Sequence, residues 1–191
     1  PGLEETPLGP TPGGPIKRVI TRMLEKHEPY PMIVMDSGYD LIKSNRSAQR
    51  LIALFIADPS AAKPPLNLYE MLFHPALARP FVQDWETLAH QMLARINRES
   101  LLRPYNARLV GLLEKLLGFP GVPEHWRGPG YALTSEPFLL LRMRRADHTM
   151  SFLTILTTFS APQNITAREV LIETLFPADE ETEASCQQLS A

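Results

Sequence analysis

The feature that most constrains this chain is the stretch 67–99, NLYEMLFHPALARPFVQDWETLAHQMLARINRES. Proline lacks an N–H and fixes its own φ, so it suits the first turn of a helix and not its interior. Reading onward from Pro80, the large apolar residues Phe81, Trp85, Leu88, Met92 and Ile96 recur at steps of four, three, four and four. That spacing predicts one apolar stripe along a helix of roughly five turns. Arg79, Gln83, Asp84, Glu86, His90 and Arg95 are read as lying mostly off the stripe. A helix so apolar on one side needs a surface to lie on, and the flanking segments read as strands able to supply one.

Upstream, residues 1–15 hold five prolines and four glycines, a composition that buries no face and reads as a linker. Such a linker suggests a preceding partner domain. An amphipathic helix follows from residue 16, with Ile16, Val19, Ile20, Met23 and Leu24 on its apolar side. It is the natural cover for the outer face of a sheet. Residues 32–36 and 39–43 read as a short hairpin turning at Ser37–Gly38. Ser44 and Asn45 then offer caps to a helix over 46–57.

Beyond the central stretch, residues 105–117 predict a leucine-rich helix, with Gly118 suited to its C-terminal cap. Residues 119–130 are irregular and carry Trp126 as an anchor. The segments 137–145 and 150–160 predict two longer strands joined through 146–149. In them Leu139, Leu141 and Met143 share one side, and Leu153, Ile155 and Phe159 oppose Phe152 and Leu156. Thr166 and Glu169 form a capping box with Ile165 and Val170 as its staple, predicting a helix to residue 176. Residues 178–191 read as a disordered polar tail. Strands at both ends with helices between them imply α+β: one antiparallel sheet with helices gathered across one face. The folded domain is then 16–177.

Bulk properties narrow the function. Formal net charge is −2, so no basic field is present to hold nucleic acid by counterion release. The lone Cys186 makes neither an intrachain disulfide nor a cysteine metal cluster, and its usage fits a reducing cytoplasm. Its place in the tail also excludes flavin–cysteine photochemistry. The five histidines never fall at an i, i+4 spacing, so no metal site is expected. Among them His90, just off the stripe, is the best single candidate for a haem ligand, and a satisfied core histidine is the simpler account. No GxGxxG, Walker A or GxSxG motif occurs, and Asp84 and Glu86, two apart on a helix, diverge. No catalytic residue, no cofactor and no enzymatic activity are expected.

The stripe is core by default. Its functional alternative is the wall of an apolar cavity between helix and sheet. The candidate lining is Phe81, Trp85, Leu88 and Met92 from the helix with Leu139, Leu141, Leu153 and Ile155 from the sheet. Arg79 or Arg142 is the candidate to meet a carboxylate at the mouth.

The same residues carry a resemblance. Asn67–Leu68, Phe73–His74–Pro75 and Asp84–Trp85 resemble the signature of the ligand-binding domain of MmyB-like transcription regulators. SNRSAQRL (44–51) and LVGLLEKLLG with PEHWR (109–127) are similar to later parts of that family, and the likeness covers about 30–177. The resemblance implies a PAS-like fold and an upstream helix-turn-helix DNA-binding domain of the Xre type, which this chain does not contain. It further implies a bacterial one-component regulator, working as a homodimer, that senses a small apolar ligand such as a fatty acid. The helix expected at 166–176 and the proline-rich 119–130 depart from the family pattern. The competing expectation is a dimerisation or protein-interaction module with a filled core, its contact carried by the N-terminal helix. The two are separated by whether a cavity above about 300 Å³ exists.

Overall fold

The computed structural model describes residues 14–103, 106–124, 126, 138–158 and 170–190. The linker expected at 1–15 lies almost wholly outside them, as do the capping-box residues Thr166 and Glu169. In chain order the elements are α1 (Gly14–His27), β1 (Met32–Met35), β2 (Leu41–Ser44), α2 (Arg46–Leu54), α3 (Leu68–Phe73), α4 (Trp85–Leu102), α5 (Ala107–Leu117), β3 (Leu139–Arg145), β4 (His148–Thr158), β5 (Leu171–Pro177) and α6 (Glu180–Ser190). The five strands form one antiparallel sheet in the order β2-β1-β5-β4-β3. Helices α2 to α6 fall between or after the strands, and α1 precedes them. This is the α+β, PAS-like arrangement that the sequence predicts.

Local chemistry sets the elements. The Asn45 side chain accepts from the Ala48 amide at 3.0 Å, and from the Met32 amide at 3.0 Å, so one residue starts α2 and ties it to β1. Asn67 caps α3 by accepting from Tyr69 and Glu70. Across the β1–β2 turn, Arg108 of α5 reaches Asp36 at 2.8 Å and Asp40 at 2.5 Å. The core splits between the two faces of the sheet. On the outer face, Ile20 and Leu24 of α1 pack on Met32, Val34, Val170 and Ile172. The larger core lies on the inner face, where Phe55, Phe73, Leu93, Ile96, Leu109, Leu116 and Phe152 are all nearly inaccessible.

Three sequence expectations are overturned. The long helix begins at Trp85, not Pro80, because Arg79–Phe81 is a 3-10 turn and the chain then pairs with β3. Val82 bridges Met143, the Gln83 amide donates to the Arg142 carbonyl at 2.9 Å, and Asp84 turns the chain at φ 52° before the helix starts. That contact covers an otherwise open sheet edge. Second, Leu171–Pro177 is not the end of a helix but the central strand, paired with β1 on one side and β4 on the other. The strand is buried on both faces but carries Glu173 and Thr174 at its middle, so neither a period of two nor one of 3.6 marks it. Third, the tail is not disordered. Residues 180–190 form α6, whose Asp179 side chain accepts from Thr182 N at 2.7 Å while Thr182 Oγ1 accepts from Ser151 N at 2.9 Å. Cys186 is wholly buried there, and burial pushes its thiol up to about 11. The domain therefore extends past residue 177.

Candidate functional site

The inner face of the sheet and the helices α2, α3 and α4 enclose a cavity of about 60 Å³. Its walls are mostly apolar. Leu51, Ile52 and Phe55 come from α2, Leu68, Met71 and Leu72 from α3, and Met92 from α4. The floor is Ile33 of β1, Leu139, Leu141 and Met143 of β3, and Leu175 of β5. The volume is well under the ~300 Å³ at which small-molecule sites begin.

Four polar side chains enter this apolar space: Tyr69, Arg95, Thr154 and Glu173. Glu173 sits on the inner face of the central strand between Leu171 and Leu175, at 6% exposure. Burial pushes its carboxyl above the usual carboxylate range, and Thr154 and then Arg95 pull the other way. Thr154, on the neighbouring strand, is diagonal to it in the register and 3% exposed. Its hydroxyl meets no described partner in strict hydrogen-bond geometry, yet it acts on the Glu173 carboxyl as a donor that lowers that group's pKa. Arg95 is largely buried. Burial opposes its charge, but Tyr69 and Glu173 outweigh that and hold its pKa up. Among the described residues, the ion pairs close elsewhere, and none joins Arg95 to Glu173. From Tyr69 the polar run continues outward. The Tyr39 ring lies 4.2 Å from the Tyr69 ring, and Tyr39 Oη donates to Glu99 Oε1 at 2.9 Å. Burial raises both phenols, Tyr69 to about 12.

The ten residues singled out from sequence separate cleanly. Met92, Leu139 and Leu141 line the cavity. Leu153 and Ile155 do not: Arg145 pairs with His148, so odd residues of β3 face even residues of β4. Leu139 and Leu141 thus share their face with Thr154 and Phe152, and Ile155 is 41% exposed on the other. Leu88 is buried in the core away from the cavity. Phe81 packs under the Arg145 guanidinium, 4.9 Å from its centroid, and 6.1 Å from Phe55. Trp85 is a clasp: it stacks edge-on to Phe73 at 4.8 Å and its Nε1 donates to the Gly121 carbonyl at 3.0 Å. Arg79 covers that indole at 4.6 Å and also donates to the Pro120 carbonyl. Arg142 pairs with Asp84 at 2.8 Å on the surface. Neither arginine meets the cavity.

Sequence reasoning missed Arg95, Thr154 and Glu173. For Arg95 a signal existed: it lies three residues after Met92 and next to Ile96, on the edge of the stripe. Glu173 was hidden by the helical reading of its segment. Read as a strand, Leu171, Glu173 and Leu175 alternate onto one face and place a carboxyl among leucines.

No helix among the described residues is long and apolar enough to cross a membrane. No curated protein matches the chain. The family model of the MmyB-like transcription regulator ligand binding domain matches residues 16–189, from α1 through all but the end of α6. With nearly the whole chain inside that match, the protein belongs to the family of MmyB-like transcription regulator ligand binding domains.

Proposed function

We propose that this chain is the sensing domain of a bacterial one-component regulator that works in the cytoplasm, without catalysis, and takes a small apolar ligand between sheet and helices. DNA contact would come from an upstream helix-turn-helix domain and output from a change in homodimer geometry. The observation that carries the reading is an interior cavity with an apolar wall and polar side chains that close no ion pair with one another. Cores are ordinarily packed to crystal-like density, and buried charges are ordinarily paired. A fatty acid is one candidate of suitable character, but the resting volume of about 60 Å³ admits no long chain. Occupancy therefore requires the helical cover to shift. Met71, Met92 and Met143, three unbranched and adaptable side chains in the wall, lower the cost of that opening. A ligand favouring the opened arrangement shifts the population toward it. The test is native mass spectrometry of purified protein together with melting curves over a series of fatty acids and the alcohols and amides of the same chain lengths. A bound adduct and a raised Tm are expected, and Leu141→Trp, which fills the cavity, should remove both. An unmoved Tm with no adduct would reject the reading.

The small volume also favours a second reading, an interaction module with a filled core. On the outer face α1 covers β1 and β5, while Ile155 and Phe176 remain 41% and 38% exposed beside half-buried Leu140 and Leu153. Such an apolar face suits a second copy. Sedimentation of wild type and Ile155→Lys decides it: a dimer lost on substitution, with no ligand effect on Tm, favours this module.

A further inference from the structure

The polar end of the cavity restricts what a ligand's head group can be. Arg95 contributes one cation and Glu173 one carboxyl, both facing the same apolar space. Together they already balance. A ligand carboxylate would bring a second acidic group to a single guanidinium. In a low-dielectric site two such groups cannot both ionise at ordinary cost, so one must take a proton. An uncharged head group meets no such conflict. It can accept from an Arg95 N–H or from the 3% exposed Thr154 hydroxyl, which meets no described partner in strict hydrogen-bond geometry although it still pulls on the Glu173 carboxyl, and it can donate to that carboxyl. Matching buried polar groups is a strong source of discrimination, because a mismatched ligand breaks the contacts they hold and leaves them unsatisfied.

We infer that Glu173, Arg95 and Thr154 form a head-group selector that takes amphiphiles ending in an alcohol or a primary amide in preference to a carboxylate. The inference rests on the sensing reading above, and names the ligand class for that same cavity. The apolar wall of Leu51, Phe55, Leu141 and Met92 takes the hydrocarbon and sets no further chemistry.

The experiment is calorimetric titration of the 191-residue chain at mildly alkaline pH with octan-1-ol, octanamide and octanoate, three probes of one chain length. The alcohol and amide should bind about tenfold or more tightly than octanoate, the scale of one mismatched buried polar contact. Glu173→Gln keeps the shape and removes the acid, so octanoate should gain and the gap should close or invert. Thr154→Val should weaken the alcohol several-fold and leave octanoate nearly unchanged; it serves as the readout if Glu173→Gln fails to fold. Octanoate binding wild type as tightly as the neutral probes overturns the inference and leaves ligand sensing standing. So does a preference for the neutral probes that neither variant alters. If none of the three binds, the selector and the sensing reading fall together.

Discussion

The two faces of this sheet are built on opposite principles. The outer face beneath α1 joins Ile20 and Leu24 to Met32, Val34, Val170 and Ile172, and the polar Lys43 and Thr174 on that side donate to Thr21 and to the Ile155 carbonyl. The inner face buries far more, yet it holds Glu173, Thr154 and Arg95 and leaves about 60 Å³ unfilled. The same strands serve both: Ile172 and Glu173 are consecutive residues of β5, pointing opposite ways. Stability alone would make the two faces alike. A fold that packs one side dry and tolerates a buried acid beside an unfilled space on the other is giving up stability where binding needs it.

The largest expected effect breaks the dry side. Ile172→Ala removes apolar contacts at 2% exposure, with α1 above and little room to collapse. It should cost about 2–5 kcal/mol, read from denaturant midpoints. A cost under about 1 kcal/mol would show that α1 follows the change and that the outer face is not tightly packed.

Next comes the acid on the other face. The folded-state pKa of Glu173 is raised by burial. Its contribution is therefore fully favourable below the unfolded-state value near 4.3 and is lost as pH rises through the folded-state value. Glu173→Gln should accordingly raise Tm more at pH 8 than at pH 4, with a gain of about 1–3 kcal/mol at the higher pH. Equal effects at both pH values would mean that Arg95 fully compensates the charge. A smaller gain, at most about 1 kcal/mol, is expected from Thr154→Val, because the buried hydroxyl meets no described partner in strict hydrogen-bond geometry and its pull on the Glu173 carboxyl does not overcome burial. Destabilisation by that variant would show the hydroxyl closing on the Glu173 carboxyl in solution.

The contrast between the faces also explains what could be read from the chain in advance. The β1–β2 hairpin, the Asn45 cap, the α5 stripe and the β3–β4 pair are local, and each announces itself through a turn residue, a cap or a period. The outer face follows from the same logic, because α1 is plainly amphipathic. β5 is different. Its neighbours in the sheet are β1, far back in the chain, and β4, across a segment largely outside the described residues. Nothing local marks it as a strand, so Glu173 could not be assigned a face. The cavity inherits that difficulty. Leu139, Leu141 and Met92 are recognisable as apolar wall, but the choice of Leu153 and Ile155 over Phe152 and Thr154 turns on strand register, where one residue flips the face. Trp85 misled for another reason. Its size and its place in the family signature invite a ligand, and its contacts with Phe73, Gly121 and Arg79 show it fastening a loop instead. The third misreading, the tail, follows from composition: α6 is polar along most of its surface, and only Thr182 and Cys186 of its residues are buried.

The smallest expected effect lies at the rim of the outer face and has the opposite pH sense to Glu173. His27 ends α1, meets the Phe176 ring edge-on at 5.2 Å, and leaves its Nε2 buried without a hydrogen bond among the described residues. Burial lowers its pKa, and Glu28 only partly offsets this. The position at a helix C-terminus favours the cation too, so burial prevails over both. With the folded-state pKa below the ordinary 6.5, the unfolded chain binds the proton more readily. The stability that the neutral imidazole contributes is then complete above pH 6.5 and declines as pH falls below it. The Tm advantage of wild type over His27→Gln should shrink between pH 7.5 and pH 5.5, while the Glu173→Gln gain at pH 8 stays intact. The residues lie on different faces, so their effects should add. If that difference were the same at both pH values, the ring would have to be partnered by solvent in the native state, and the outer face would be less dry at its edge than at its centre.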